Sequence, residues 1–327
     1  MPQLNPENQF VHSMDGVQRI LAAYNLTPTR YKQTTSGIEN LTLQVWCGKT
    51  TYVLRVYRQN KKSDTAISRE LDFMTELKRG GLPVPTIIPS ADGRLFVVVH
   101  TWDQTWQCVL MEFMPGHHPT TYTRGLLTEM AANQAKIHLI GQSYTKKHGL
   151  PCKRHLHNAA DLDAAPQPGT NGLSDAYCAF LERARTFEVT LQAQLPYGLG
   201  HFDYAANNLL LDDSKHITAV LDFDDMQCMP LIVCLGFTLW NVFVSASNPQ
   251  TRLAHYLRVY ESVRPLSKAE KNSLAKTMLF RHYLVRSLGF RFGSVSSAAF
   301  AKIIAQEQRL QKLTFEVPAS PTPPYKG

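Results

Sequence analysis

Six aspartates and a single lysine fall within residues 200–225, GHFDYAANNLLLDDSKHITAVLDFDD, a strongly acidic stretch in a chain whose overall formal charge is +8. Carboxylates packed this densely repel one another and raise each other's pKa unless a cation or hydrogen-bond donors compensate them. A divalent metal would do so. The spacing is specific: His201-Phe202-Asp203, Asn208 five residues after the aspartate, a strand hairpin turning at Asp212-Asp213-Ser214-Lys215, then Asp222 in Leu-Asp-Phe-Asp. Phosphoryl transfer needs one carboxylate to orient an attacking hydroxyl and accept its proton, and a carboxylate with an amide oxygen to hold Mg²⁺ on nucleotide phosphates. Asp203, Asp222 and Asn208 supply that set. Asp224 is a candidate for a second Mg²⁺, Asp225 for capping the next element, and Asn207 competes with Asn208 for the metal.

The elements that must position these residues are legible from periodicity. Val17, Ile20, Leu21 and Tyr24 fall at helical spacing in Met14 to Tyr24, a short helix expected to pack outside the first lobe. From Tyr31 to Arg58 the pattern is that of strands: Leu41, Leu43 and Val45 alternate, and Tyr52 to Val56 follow a turn at Gly48-Lys49. Ser63 or Asp64 caps a helix through Ile67, Leu71, Met74 and Leu77 that ends at Gly80-Gly81. Strands over Leu95 to Val99 and Cys108 to Phe113 complete the first lobe. After Pro119 the texture is helical. The longest candidates are Leu126 to Ile140 and Leu173 to Leu195, with an irregular connection over Ser143 to Thr170 between them. Helices are expected again over 231–244, 251–263, 268–288 and 298–313, and the proline-rich residues 318–327 read as a disordered tail.

The segment 200–225 resembles the catalytic loop and metal strand of the aminoglycoside phosphotransferase, choline kinase and homoserine kinase superfamily. The H-x-D-x-x-x-x-N motif of that family falls on His201, Asp203 and Asn208, and its D-F-D-like metal motif on Asp222, Phe223 and Asp224. Ser36 to Asn40 is similar to the nucleotide loop of homoserine-kinase-like members, Tyr52 to Arg58 to their phosphate-contacting strand, and Glu70-Leu71-Asp72-Phe73 to their helix C. Gly81 to Pro85 and Val263 to Ser267 with Glu270 extend the likeness over roughly residues 30–290. The resemblance implies an α+β, two-lobed protein-kinase-like fold, with an N-terminal antiparallel sheet plus helix and a mainly helical C-terminal lobe. It implies Asp203 as catalytic base and Asn208, Asp222 and Asp224 as metal ligands. Gly37, Asn40, Arg55 and Glu70 are implied at the nucleotide, together with a hinge over Met111 to Met114 (Glu112, Phe113 and Met114) that offers backbone groups to adenine. The cofactors implied are ATP, or GTP in its place, and Mg²⁺. His201 is read as bracing the loop and His138 as packing or capping. Arg55 stands where a lysine is usual; it keeps its charge permanently but spreads its donors over a planar fork. Phe202 occupies a position where small residues are common, and Cys234 one where relatives often have aspartate.

The domain organisation expected is a helical extension over 1–30, a nucleotide-binding N-lobe over 31–114, a catalytic and substrate-binding C-lobe over 115–317, and the tail. The activity expected is transfer of a nucleotide γ-phosphate to a hydroxyl of a small molecule. The excess charge bears on the acceptor. Residues 261–327 hold 11 Lys or Arg against 4 Glu, and residues 120–200 hold eight Lys or Arg against six Asp or Glu. That balance disfavours a polycationic antibiotic and suits an anionic or hydroxy-amino-acid acceptor, with an aminoglycoside or choline-type kinase as the alternative. Two readings of another class are a nucleotide-binding pseudokinase scaffold and a nucleic-acid-binding module. Arg264, Lys268, Lys271, Lys276, Arg281, Arg286 and Arg291 motivate the latter, but they alternate with apolar residues and carry no reading motif, so a solvated helix face is the expected account. No apolar run reaches the roughly 18 residues of a membrane span, and the polar N-terminus reads as cytoplasmic. Six cysteines without a C-x-x-C pair read as reduced thiols. Nothing in the sequence speaks to oligomeric state.

Overall fold

The computed structural model describes residues 13–34, 40–57, 62–101, 104–157, 174–292 and 295–315. Gly37, which the sequence suggests at the nucleotide, and the tail 318–327 lie outside the described residues. In chain order the first elements are α1 (Met14–Ala22), β1 (Arg30–Gln33), β2 (Leu41–Cys47), β3 (Thr50–Val56), α2 (Asp64–Arg79), β4 (Ile87–Ile88), β5 (Val97–His100) and β6 (Thr105–Glu112). Next come α3 (Arg124–His148), β7 (His155–His157), α4 (Ser174–Thr186), β8 (Glu188–Thr190) and β9 (Tyr197–Gly200), then the hairpin β10 (Leu209–Leu211) and β11 (Ile217–Val220). The chain continues through β12 (Gln227–Pro230), α5 (Leu231–Val244), α6 (Gln250–Val263), α7 (Lys268–Phe292) and α8 (Ser297–Gln311). It divides into two compact units: residues 1–119 with 208–224, and residues 120–207 with 225–327. The hairpin β10–β11, placed by the sequence reading in the second lobe, therefore packs with the first unit. The backbone of Val220 donates to Pro83 (2.6 Å), and His117 and Leu211 exchange both of their backbone bonds (3.0 and 2.9 Å).

The first unit is built on an antiparallel sheet of order β1-β2-β3-β6-β4, with β5 also on β6. Alternate positions on its strands turn the same way, so Leu43 and Val45, Leu54 and Val56, and Cys108 and Leu110 form one apolar face. Helix α1 covers that face. Val17, Ile20 and Leu21 are fully buried against it, and the Tyr24 hydroxyl donates to the Cys108 carbonyl (3.3 Å). The expectation of a helix packed outside the first lobe is thus corrected: a sheet face of this apolarity needs cover, and the stripe at 17, 20, 21 and 24 supplies it. Helix α2 starts at Ser63, whose hydroxyl accepts from the Ala66 amide (3.2 Å), and places Glu70 in the interior.

In the second unit α5 is apolar on all sides and nearly all of it is buried, as befits a central helix. Helix α3 runs eight residues past the expected end at Ile140, to a left-handed cap at Gly149 (φ +59°). Helix α4 is shorter than the helix expected over 173–195. It stops at Thr186, where the β-prone Glu188-Val189-Thr190 pairs with His155-Leu156-His157 and buries Val189 and Leu156, so part of the segment read as irregular is a strand. The start of α7 is a capping box: the Ser267 hydroxyl accepts from the Glu270 amide (3.2 Å) and Glu270 accepts from the Ser267 amide (2.9 Å). Glu270 also takes Arg264 (2.7 Å). The basic residues of this region are accordingly only in part a solvated face. Lys268 and Lys276 are exposed, while Arg264 is buried on Glu270, Lys271 pairs with Glu261 (2.7 Å), and Arg286 lies over the Trp240 ring. No helix among the described residues is long and apolar enough to cross a membrane.

His282 of α7 sits in this interior with its Nδ1 accepting from the Trp240 indole (3.2 Å), and burial followed by the neighbouring Arg286 lowers its pKa to about 4. Between pH 6.5 and 4 the unfolded chain then binds a proton at this site that the folded chain refuses, so stability present above pH 6.5 is lost on acidification. The expected loss is about 3 kcal/mol from this residue, and His138, buried and lowered in the same sense, adds to it. Urea midpoints at pH 7 and pH 4.5 read the effect. His282→Asn, which keeps an acceptor for Trp240, should show a shallower dependence, and an equal slope in parent and variant would refute the assignment.

Candidate active site

In the first unit, six polar side chains from separate stretches of sequence converge. Arg55 leaves β3, Lys62 precedes α2, Glu70 lies on α2, Asn40 precedes β2, and Asp222 and Asp224 follow β11. Arg55 meets Glu70 (3.3 Å), Asp222 (3.3 Å) and Asp224 (3.5 Å), and Lys62 meets Glu70 (2.6 Å) and Asp224 (2.8 Å). Asn40 Nδ2 donates to Asp224 Oδ2, and the Tyr57 hydroxyl to Glu70 Oε1 (3.1 Å). Three carboxylates thus face two cations. Burial raises the Glu70 pKa against the pull of Arg55 and Lys62; burial alone would lower Arg55 and Lys62, yet the carboxylates hold both above their ordinary values. Asp222 is the most open member, its side chain 46% exposed, and its backbone sits at φ +63°, a left-handed conformation that aspartate tolerates better than most residues. Asn208 is buried, and its carbonyl accepts from the Leu221 amide (2.8 Å), which ties it to the residue before Asp222.

Two carboxylates and an amide are an all-oxygen donor set of the kind Mg²⁺ takes. Among the described residues no group of three or more His, Cys, Asp or Glu is gathered as a metal cage. Glu112, expected at a hinge, makes its side-chain bonds outside this cluster. The Glu112 carboxylate accepts from the Thr86 hydroxyl (2.6 Å) and amide (3.2 Å) and from Lys78 (3.4 Å), bonds that hold its pKa below the usual range. Its side chain is therefore occupied. Tyr52 opposite Glu112 is the terminal pair of β3 and β6, and Phe113 and Met114 follow beyond β6.

In the second unit, β9 leads directly into His201-Phe202-Asp203. Helix α3 and β9 meet backbone to backbone through two glycines: a Cβ on Gly141 would stand 1.9 Å from the Leu199 carbonyl oxygen, and one on Gly198 would stand 2.7 Å from the Gln142 amide nitrogen. Phe202 adopts φ +60°, and its ring is held edge-on by Phe237 at 5.9 Å. A small residue would reach that φ more cheaply; here the ring contact offsets the strain. Cys234 is buried, and its sulfur accepts from Gln134 Nε2 (3.6 Å). Asp203 Oδ1 accepts from Arg281 Nη2 of α7 (2.7 Å). The Ala206 amide donates to the Tyr122 hydroxyl (3.2 Å), whose pKa is raised chiefly by burial and further by the Asp203 carboxylate. Tyr122 also lines a cavity of about 580 Å³ between the starts of α3 and α6. Arg124, Arg252 and Arg258 line it together with His255, and no Asp or Glu does.

The sequence profile of the phosphotransferase enzyme family matches residues 30–266, more than two thirds of the chain. The chain belongs to this family. Homoserine kinases of Xanthobacter autotrophicus and Caulobacter vibrioides are 26% and 25% identical to it, each over about 83 to 85% of both chains. Among solved structures, a microcompartment-associated aminopropanol kinase superposes with a TM-score of 0.68 at 23% identity, over 90% of this chain and 94% of its own. A spectinomycin phosphotransferase in complex with ADP and spectinomycin gives 0.59 at 13% identity, over 90% and 93%. These likenesses establish the kinase-like fold, and the family makes the protein a phosphotransferase with an alcohol group as acceptor.

Within this phosphotransferase the sequence-predicted Asn40, Arg55, Glu70, Asp222 and Asp224 come together in one polar cluster, and Glu112 lies outside it. Asp203 belongs to the other unit, where its partner is Arg281. Two residues escaped the sequence reading and a third was read otherwise. Lys62 brings an ammonium to Glu70 and Asp224, and its one sequence signal was its place just before the Ser63 cap. Tyr122 left no signal and Arg281 was read only as part of a solvated basic face, because their partners are 84 and 78 residues away.

Proposed function

We propose that this phosphotransferase uses Mg²⁺ and ATP to phosphorylate the hydroxyl of a small acceptor that carries a carboxylate, a hydroxy amino acid of the homoserine kind. The observation that carries the reading is the convergence of Asp222 and Asp224 on Arg55, Lys62 and Glu70, a set suited to nucleotide phosphates with their metal. The relatives named homoserine kinase support the acceptor class. So does the cavity bearing arginines and a histidine, whose walls repel a polycation.

Asp203 accepts the proton as the acceptor oxygen forms its bond to the γ-phosphorus; the bond from that phosphorus to the β,γ-bridging oxygen breaks, and ADP leaves with the electron pair. Asp222, Asp224 and Asn208 would hold Mg²⁺, which when bound draws off charge from the phosphate oxygens. Arg55 and Lys62 orient the phosphates, and Glu70 keeps both cations in place. Backbone groups of Glu112, Phe113 and Met114 receive adenine.

A panel of hydroxyl compounds with radiolabelled ATP tests the reading: homoserine and related hydroxy acids are expected to be labelled, and aminoglycosides and choline are not. Labelling confined to the polycationic compounds would overturn it. Removing the ammonium with Lys62→Met is expected to raise the KM for ATP about tenfold, the scale of one charge-assisted hydrogen bond, while the KM for the acceptor stays within about twofold. An unchanged KM for ATP would remove Lys62 from the phosphate site.

A further inference from the structure

We infer that Arg281 is the anchor for the acceptor's carboxylate, binding it directly beside Asp203. The inference rests on the acceptor class proposed above and adds to it a residue that selects for that class.

Arginines of the unit that holds Arg281 differ in how far protein satisfies them: Arg286 has one bond, to Gln306 (3.1 Å), and a buried Nε without a partner, and what sets Arg281 apart from it is the contact with Asp203. Arg183 is fastened to Glu307 by two parallel bonds, Nε to Oε1 (2.7 Å) and Nη2 to Oε2 (2.9 Å). Arg264 spends one amino group on Glu270 (2.7 Å) and the other on the Tyr260 hydroxyl (3.1 Å). Arg281 has a single bond to protein among the described residues, to one oxygen of Asp203, and its Nε is buried without a partner. A guanidinium carries five N–H donors, and leaving them unmet away from water is costly. A ligand carboxylate would meet them with the fork geometry this group favours.

The surroundings fit that use. The guanidinium carbon lies 4.9 Å from the centroid of the Phe237 ring, and that ring stacks on Phe280, so the cation rests on an apolar floor that limits its wandering. Arg281 and Asp203 remain 16% and 29% exposed, open enough for a small molecule to reach both. In a hydroxy amino acid the carboxylate lies a few carbon–carbon bonds from the hydroxyl. A cation in contact with the base is thus placed to read the carboxylate while the base takes the hydroxyl. The arginines of the α3–α6 cavity share no bond with Asp203 and cannot make that paired reading.

The test compares homoserine with 3-amino-1-propanol, which keeps the hydroxyl and the amine but lacks the carboxylate, in the parent, Arg281→Met and Arg281→Lys. The parent is expected to favour homoserine at least about 30-fold in kcat/KM, the range of a charge-assisted pair. Arg281→Met should bring that ratio close to one by raising the KM for homoserine, with the KM for ATP unchanged, and Arg281→Lys should fall between. Because the ratio is taken within one preparation, a partly folded variant does not distort it. If Arg281→Met turns over neither compound, calorimetric titration with homoserine decides: lost binding supports the anchor and parent-like binding overturns it. Retention of the parent ratio in Arg281→Met, or a parent without preference, also overturns it. A parent that phosphorylates no hydroxy acid at all would instead refute the acceptor class itself.

Discussion

Asp203→Asn is expected to cut kcat about 1,000-fold, within the range a positioned general base contributes, while nucleotide affinity stays within about twofold of the parent. The amide is nearly the same shape as the carboxylate. Its Oδ1 still accepts from Arg281, so the loop should keep the geometry in which Asp203 lies 2.7 Å from that guanidinium. What the amide lacks is an oxygen that can take up the acceptor's proton. Nucleotide affinity is spared because the groups assigned to phosphates and metal, Arg55, Lys62, Asp222 and Asp224, gather in the other unit of the chain. A comparison inside the same acidic segment separates base loss from charge loss: Asp213 is exposed in the hairpin turn, and Asp213→Asn should leave kcat within about twofold. Single-turnover rates with saturating ATP, set beside calorimetry with a non-hydrolysable nucleotide, read both quantities. Asp203→Asn at more than a tenth of parental kcat would dismiss the base role.

The parts of this molecule that the sequence made legible are those whose determinants are local. Asp203 and Asn208 stand five residues apart on one loop, and Asp222 and Asp224 two apart beyond one hairpin, so spacing alone suggested phosphoryl-transfer chemistry. Helix starts were equally readable, since Ser63 and Ser267 act within their own first turns. The rest depends on long-range contact. Lys62 takes its meaning from Asp224, 162 residues on, and Arg281 from Asp203, 78 residues back. The stripe of α1 was visible as a stripe, but nothing local said which surface it covers; that follows from the apolar face the sheet presents. The three-residue strands β7 and β8 are too short for a period to appear and exist through pairing with each other. The oddities at Phe202 and Cys234 also became intelligible in three dimensions. A left-handed φ explains why a small residue would suit position 202, and the buried Cys234 sulfur accepts from Gln134 Nε2 (3.6 Å).

The loop at Phe202 rests on the seam between α3 and β9, and Gly141→Ala is expected to damage stability and catalysis together. Helix propensity alone argues the other way, since alanine is favoured over glycine by about 1 kcal/mol in a helix interior. At position 141 the added Cβ would lie 1.9 Å from the Leu199 carbonyl oxygen, and that obstacle is backbone, not a side chain that can swing aside. Helix and strand must part by more than an ångström, and overpacking of this kind costs about 3 kcal/mol or more. For a chain of this size that is a fall in melting temperature of roughly 4 °C or more. Since β9 runs straight into His201 and Asp203, the displacement reaches the base, and a misplacement on the order of 1 Å can cost about 100-fold in rate. Gly289→Ala supplies the contrast: α7 leaves open space around position 289, so that substitution should raise stability by up to about 1 kcal/mol and leave kcat alone. Paired melting curves and turnover numbers read the difference. A Gly141→Ala enzyme with parental melting temperature would mean that the α3–β9 seam has slack, and its closeness could then no longer be what holds the catalytic loop in register.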